Sequence, residues 1–401
     1  MASFLLALLL SVSSTNAVVS HLTHYQRNSI NFQSLSDQVI STMKNTSSCP
    51  CKDTSYCNLI SGPPVAPNGE LFGFVGVNTD PASLNWTHIT TVAWGFGAKM
   101  MCEAHKNGAR VVVSSPSVNL TLLSNDAARS KWVAKAVQMV LQGFYDGIVF
   151  DYESPQSKGS IGGQTYAKVI SDTRDALHHI SSSYQVSTCV AWSPDNIDGR
   201  DYPMNKLSDA SDLLYVMDYD TRSQIFDACL ASANAPVPGM IKGIQRYLDL
   251  GIPSKKLILG TPWYGYHYPC LSGTTLNDRY CPIKSVPFRG VNCSDAAGNE
   301  LDFAKIRNIY YKHLNETVHG RDTNMNAPYF NTYRMSSNGK IDRTMIDQYW
   351  YDDAIDLRVK YSWAKRNDLG GVGPYCLSMV AESFNQEEAR DMWSSLDSYF
   401  V

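Results

Sequence analysis

A (β/α)8 barrel of the α/β class, with a small α+β insertion in its seventh βα connection, is the fold this sequence predicts. Three observations lead there. Eight short apolar segments recur from residue 71 onward, amphipathic helical patterns separate several of them, and one late connection is far too long for a loop. An open doubly wound sheet is the competing architecture. However, no Gly-x-Gly-x-x-Gly follows the first strand and no phosphate loop occurs, so no nucleotide cofactor is expected.

In chain order, the first element is a targeting segment. Residues 1–12 contain an apolar run too short to cross a bilayer, and Thr15-Asn-Ala17 supplies a small-x-Ala pattern, although the usual basic residues ahead of the run are missing. Residues 1–17 are read as a secretory signal peptide. Residues 18–48, polar and without periodicity, are read as a leader or propeptide, and 49–401 as the main domain. No later segment is apolar for long enough to span a membrane, so no membrane partner is expected.

The predicted strands are Leu71–Val77, Thr90–Gly95, Ala109–Ser114, Asp146–Glu153, Gln185–Trp192, Leu213–Tyr219, Lys256–Pro262 and Gly370–Tyr375. Between them, helical spacing of apolar residues marks Asp126–Leu141, Gly163–Ser181, Met240–Leu250 and Ile355–Asn367. Residues about 265–345 hold Cys, Pro and Gly turns, a helical pattern at Phe303–Asn315 and a strand-like piece at Tyr329–Arg334. That connection of roughly eighty residues exceeds any barrel loop and predicts an α+β insertion forming one wall of a cleft.

Composition is that of an ordinary globular chain, 44% hydrophobic and 18% charged over 401 residues. A net charge of -3 gives no reason to expect nucleic acid or an anionic surface as partner, and a monomer is expected. Twenty-three Tyr and 8 Trp offer either stacking platforms for sugars or a merely Tyr-rich surface. Ten cysteines on a secretory route predict disulfides; Cys49, Cys51 and Cys57 lack a His at ligand spacing, so no metal is expected. Cys189, inside a predicted strand, reads as a buried thiol. Glycosylation sequons at Asn45, Asn85, Asn119, Asn292 and Asn315 fit the same compartment.

The chemistry concentrates in Asp146-Gly-Ile-Val-Phe-Asp151-Tyr-Glu153, an apolar run that ends in acids. Side chains alternate along a strand, so Val149, Asp151 and Glu153 share one face. Inward acids at the C-terminal end of a barrel strand are expensive unless paired or used, and that end is where such barrels keep their active sites. Lying side by side, the two acids cannot bracket a sugar ring from opposite sides. One can donate a proton, and the nucleophile can be a 2-acetamido group on the substrate itself. Met217 and Tyr219 share a face in the sixth strand, and the phenol of Tyr219 could donate a hydrogen bond to that acetamide. Taken singly, each acid could be a helix cap and the tyrosine a core residue.

These residues resemble glycoside hydrolase family 18, whose fourth strand carries Asp-x-x-Asp-x-Asp-x-Glu and whose sixth carries Met-x-Tyr-Asp. Longer segments resemble a lysosomal branch of that family: Cys49-Pro-Cys51, Val190-Ala-Trp192-Ser-Pro-Asp-Asn-Ile-Asp198, Ser223-Gln-Ile-Phe, Ala231-Ser-Ala-Asn-Ala-Pro236, Pro262-Trp-Tyr-Gly-Tyr266, Val286-Pro-Phe-Arg-Gly290, Cys293-Ser-Asp-Ala-Ala-Gly298 and Tyr349-Trp-Tyr-Asp-Asp353. The resemblance implies that Glu153 is the general acid and Asp151 steers the acetamide nitrogen. It implies that Tyr219 holds the acetyl oxygen with Asp220 beside it, and that Asp146 is structural. Met217, Trp192, Trp263, Tyr264 and Tyr375 become candidates for contact with substrate, Trp263 alternatively packing beneath the insertion.

The expected substrate is an N-acetylglucosamine oligosaccharide, cut at the chitobiose unit of N-linked glycans from its reducing end, and the expected location is the lysosome. The chain alone indicates only secretion. A chitinase-like lectin without turnover and an endo-acting chitinase are the rival readings. Two departures from the family pattern bear on this. Val149 stands where the motif has its second Asp, which leaves the sign of any shift at Asp151 open. Gly373-Pro-Tyr-Cys376 offers Tyr375 where the family places a Trp beneath the sugar.

Overall fold

The computed structural model describes residues 48–336, 339–381 and 385–401. The expected signal peptide, all of the leader except Ser48, and the Asn45 sequon lie outside the described residues. Seven strands pair in parallel in chain order: β1 (Glu70–Phe74), β2 (Thr91–Ala93), β3 (Arg110–Ser114), β4 (Gly147–Phe150), β5 (Gln185–Ala191), β6 (Leu213–Met217) and β7 (Leu257–Pro262). An antiparallel sheet follows: β8 (Tyr264–Pro269), β9 (Asn299–Asp302), β10 (Thr317–Asp322), β11 (Ala327–Met335) and β12 (Ile341–Tyr351), in spatial order β10-β11-β12-β8-β9. The last strand, β13 (Gly371–Tyr375), pairs with both β7 and β1 and closes the barrel.

Alternation along each strand builds two cores. Phe72, Val112, Val149, Leu213, Tyr215 and Ile258 fill the barrel, while Leu71, Val111, Ile148, Phe150, Leu214, Val216, Leu257 and Leu259 face the helices. Each such side chain contributes about 1.5–3 kcal/mol on burial. The interior narrows in one place by design of the backbone. A Cβ on Gly373 would lie 2.3 Å from the Phe72 carbonyl oxygen and 2.5 Å from the Tyr215 ring, so glycine alone leaves room for Tyr215, whose hydroxyl donates to Gly373 O at 2.8 Å.

The predicted helices occur as Asp126–Gln142, Ile161–Ile180, Val237–Asp249 and Ala354–Arg366. Two begin at least two residues earlier than periodicity indicates. Ser160 caps one by accepting from Gly163 N, and the other opens on Val237-Pro-Gly, a first turn that carries no apolar rhythm. Four disulfides staple the loops: Cys49–Cys57, Cys51–Cys102, Cys229–Cys293 and Cys270–Cys281. Cys189 and Cys376 are free and buried. Among the described residues no helix is long and apolar enough to cross a membrane.

Candidate active site

Strand β4 stops at Phe150 because its ladder runs out; Ser114 with Val149 and Phe150 with Thr188 are its last registers. Asp151 and Glu153 therefore leave the sheet at the barrel mouth with the parity of inward-facing Val149. Both line a cavity of about 330 Å³, together with Trp192, Met217, Tyr219, Asp220, Tyr264 and Tyr375. That volume lies at the small end of ligand sites.

Asp151 Oδ1 is buried without a hydrogen-bond partner among the described residues. Burial first, then the neighbouring Glu153 charge, push its pKa up to about 7, against an opposing pull from Arg200. The sign that the sequence left open is thus upward, and desolvation dominates it. Glu153 is more open, its side chain 53% exposed, and its Oε2 accepts from Arg200 Nη1 at 2.5 Å. Arg200 also donates to Asp198 Oδ2 at 3.2 Å, and Asp198 Oδ1 accepts from Ser223 Oγ at 2.8 Å.

Two strands along the barrel, Tyr219 continues the inward parity of Tyr215 and Met217 just beyond the end of β6. It is buried, and burial raises its pKa well above the phenol range, so it stays a donor. Asp220 follows with a φ of 51°. Its N–H donates to Asn234 Oδ1 at 2.8 Å, and its Oδ1 accepts from the hydroxyls of Tyr264 (2.7 Å) and Tyr266 (3.0 Å). Burial still outweighs those two hydrogen bonds and raises its pKa. Tyr375 packs between Tyr219 (centroids 5.6 Å apart) and Trp94 (5.9 Å, nearly perpendicular). The loop before β9 adds Asp295, also pushed up to about 7 by burial and then by Asp220 and Asp198.

Asp146 lies at the other end of β4, away from the cavity. Its Oδ1 accepts from Ile60 N (2.8 Å) and its Oδ2 from Val111 N (2.8 Å) and His105 Nε2 (2.7 Å), tying the N-terminal segment to the barrel base.

Of the two places expected for Trp263, contact with substrate is not the one it takes. It sits between β7 and β8, with parity opposite to Tyr264, so its indole points away from the cavity into the outer core. There it is fully buried, edge-on to Trp393 at 4.9 Å. The Asn85, Asn119, Asn292 and Asn315 side chains are exposed. Cys49, Cys51 and Cys57 lie close together, but as members of two disulfides.

The structure also brings in residues that sequence reasoning did not single out. Trp94 lines the cavity although simple alternation from inward Ala93 would turn it outward; a φ of 59° swings it back. Its Nε1 is buried and has no partner among the described residues. Arg200, 47 residues from Glu153, left no signal in spacing. Tyr266 could have been found from its alternation with Tyr264.

Comparison with known proteins follows the same lines. The profile of Glycosyl hydrolases family 18 matches residues 71–379. The chain is 36% identical over 361 residues to probable di-N-acetylchitobiase 2 of Dictyostelium discoideum, covering 88% of this chain and 91% of that one. It is 35% identical over 356 residues to di-N-acetylchitobiase of Homo sapiens, covering 87% and 88%. In fold it is similar to a class V chitinase from Nicotiana tobaccum (TM-score 0.63, 16% identity, 83% and 99% covered). It is likewise similar to a chitinase-like agglutinin from Robinia pseudoacacia (TM-score 0.61, 18% identity, 82% and 99% covered).

Proposed function

The chain belongs to glycosyl hydrolases family 18 and is a glycoside hydrolase, and from that premise we propose that it cleaves GlcNAc-β1,4-GlcNAc at the reducing end of oligosaccharides, with retention and with the substrate's own acetamide as nucleophile. The observation that carries this reading is the pairing of a buried Asp151 oxygen, without a partner among the described residues, with Tyr219 at the mouth of one small cavity. An acetamide needs one acceptor for its N–H and one donor for its carbonyl. Asp151 is the acceptor and Tyr219 the donor. Gripped at both ends, the carbonyl oxygen is aimed at the anomeric carbon as the glycosidic bond breaks.

Glu153 gives its proton to the departing oxygen, then takes one from the water that opens the cyclic intermediate. Arg200, at 2.5 Å from Oε2, stabilises the carboxylate that remains once the proton has left. Asp151, which holds a proton at rest in mild acid, receives the acetamide N–H on its buried Oδ1 and so steers the nitrogen while the carbonyl oxygen attacks. Similarity to the named chitobiases, of which the chain spans about nine-tenths, supports the substrate. Four disulfides and four exposed sequons support the secretory route, and carboxyls that titrate near neutrality support work in an acidic compartment, the lysosome.

Binding without turnover is the second reading, favoured by the Arg200–Glu153 salt bridge and by Tyr375 where the family places a Trp. Incubation with di-N-acetylchitobiose separates the two. Release of the monosaccharide is expected; saturable binding with no product would replace the hydrolase by a lectin.

A further inference from the structure

We propose that Phe288 and Arg289 close the leaving-group side of the cleft after one sugar, so that the site accepts a single reducing-end N-acetylhexosamine and not a continuing chain. The inference rests on the assignment of Glu153 as proton donor.

Both residues sit on a tight hairpin of the insertion. Phe288 and Val291 exchange N–H···O bonds of 3.0 and 3.1 Å, and Ser285 Oγ donates to Asn292 O at 2.7 Å. Arg289 is held at a φ of 41°, a costly region for a residue with a Cβ. Its carbonyl accepts from Gln224 Nε2 at 2.9 Å. The base of the hairpin is fastened by Ile225 N to Cys293 O (3.0 Å) and by the Cys229–Cys293 disulfide.

From that anchored loop the guanidinium reaches the barrel. Nη1 donates to Asp198 O at 2.6 Å and Nη2 to Glu153 O at 3.4 Å. These are the two residues whose side chains hold Arg200. The same guanidinium stands 4.9 Å over the Phe288 ring, which lines the cavity. Insertion and barrel are thereby joined by a strap beside the proton donor.

The sugar that supplies the acetamide lies toward Asp151 and Tyr219, so the departing sugar lies on the Glu153 side, against Arg200 and the strap. One ring finds an aromatic platform in Phe288 and cationic donors for its hydroxyls. A second ring would have to pass through the Arg289 bridge.

The test uses tetra-N-acetylchitotetraose carrying 18O at its reducing end, with early products read by mass spectrometry. Wild type should release labelled monosaccharide and unlabelled trisaccharide. Arg289→Ala and Arg289→Met should raise the ratio of disaccharide to monosaccharide by roughly tenfold or more, while Arg289→Lys keeps the wild-type pattern. In a parallel arm that needs no variant, the same tetrasaccharide tethered to beads through its reducing end should resist wild type. Variants that still release only labelled monosaccharide, or a wild type that cuts the tethered chain, would overturn the strap and leave the hydrolase standing. A wild type that gives no product, or unlabelled monosaccharide first, would overturn the reducing-end assignment and the strap with it.

Discussion

Arg200 Nη1 lies 2.5 Å from Glu153 Oε2, so the carboxyl assigned to protonate the leaving oxygen rests in a salt bridge. Replacing the proton donor tests the assignment without emptying the cavity. Glu153→Gln should lower kcat by about 10²–10⁴, the usual contribution of a positioned acid. Calorimetric titration with di-N-acetylchitobiose should find its affinity within a few-fold of wild type, and normal turnover would remove Glu153 from the mechanism.

Asp151 ties the reaction to pH. Its pKa, raised to about 7 by burial and by Glu153, means that Asp151 keeps a proton in mild acid and loses it as pH rises through about 7. kcat/KM should therefore fall on the alkaline side near 7. In Asp151→Asn the residual activity should be far lower and the limb near 7 should be lost, because the group that titrates there is gone. A limb that stays where it was would assign the titration to another group.

Most of this site was legible in the sequence because strand parity is a strong constraint. Once Val149 is inward, Asp151 and Glu153 follow, and Tyr215, Met217 and Tyr219 follow in β6. What parity could not supply lies where backbone leaves the ladder. Trp94 enters the cavity through a left-handed φ, and Arg200 and Arg289 reach Glu153 from loops distant in sequence. Trp263 is the opposite case. Its residue type allowed either a sugar platform or packing beneath the insertion, and its parity against Tyr264 turns it into the outer core.

That difference between Trp263 and Tyr375 can be measured. Trp263→Ala removes a fully buried indole packed on Trp393 and should cost about 3–5 kcal/mol of stability with KM little changed in the protein that folds. Tyr375→Ala should do the reverse, raising KM with a smaller fall in Tm. Denaturant melts beside Michaelis kinetics distinguish them.

His105 predicts a trend in stability with pH. Burial alone would lower its pKa, but the hydrogen bond and charge of Asp146 outweigh burial and raise it. A folded-state pKa above the unfolded value of about 6.5 means that the interaction stabilises fully below that pH and is lost as pH rises through the folded value. Urea unfolding across mild acid to mild alkali should show stability declining more steeply in wild type than in His105→Gln. Parallel slopes would mean that the pair does not titrate with folding.

The proposal that a sugar amide attacks its own anomeric carbon is tested most directly by removing the amide. Hydrolysis rates of di-N-acetylchitobiose and of the same disaccharide lacking the N-acetyl group on its non-reducing sugar should differ by several orders of magnitude, since an intramolecular nucleophile is lost. Equal rates on the two substrates would mean that Asp151 and Tyr219 do not position an acetamide and that the nucleophile comes from elsewhere.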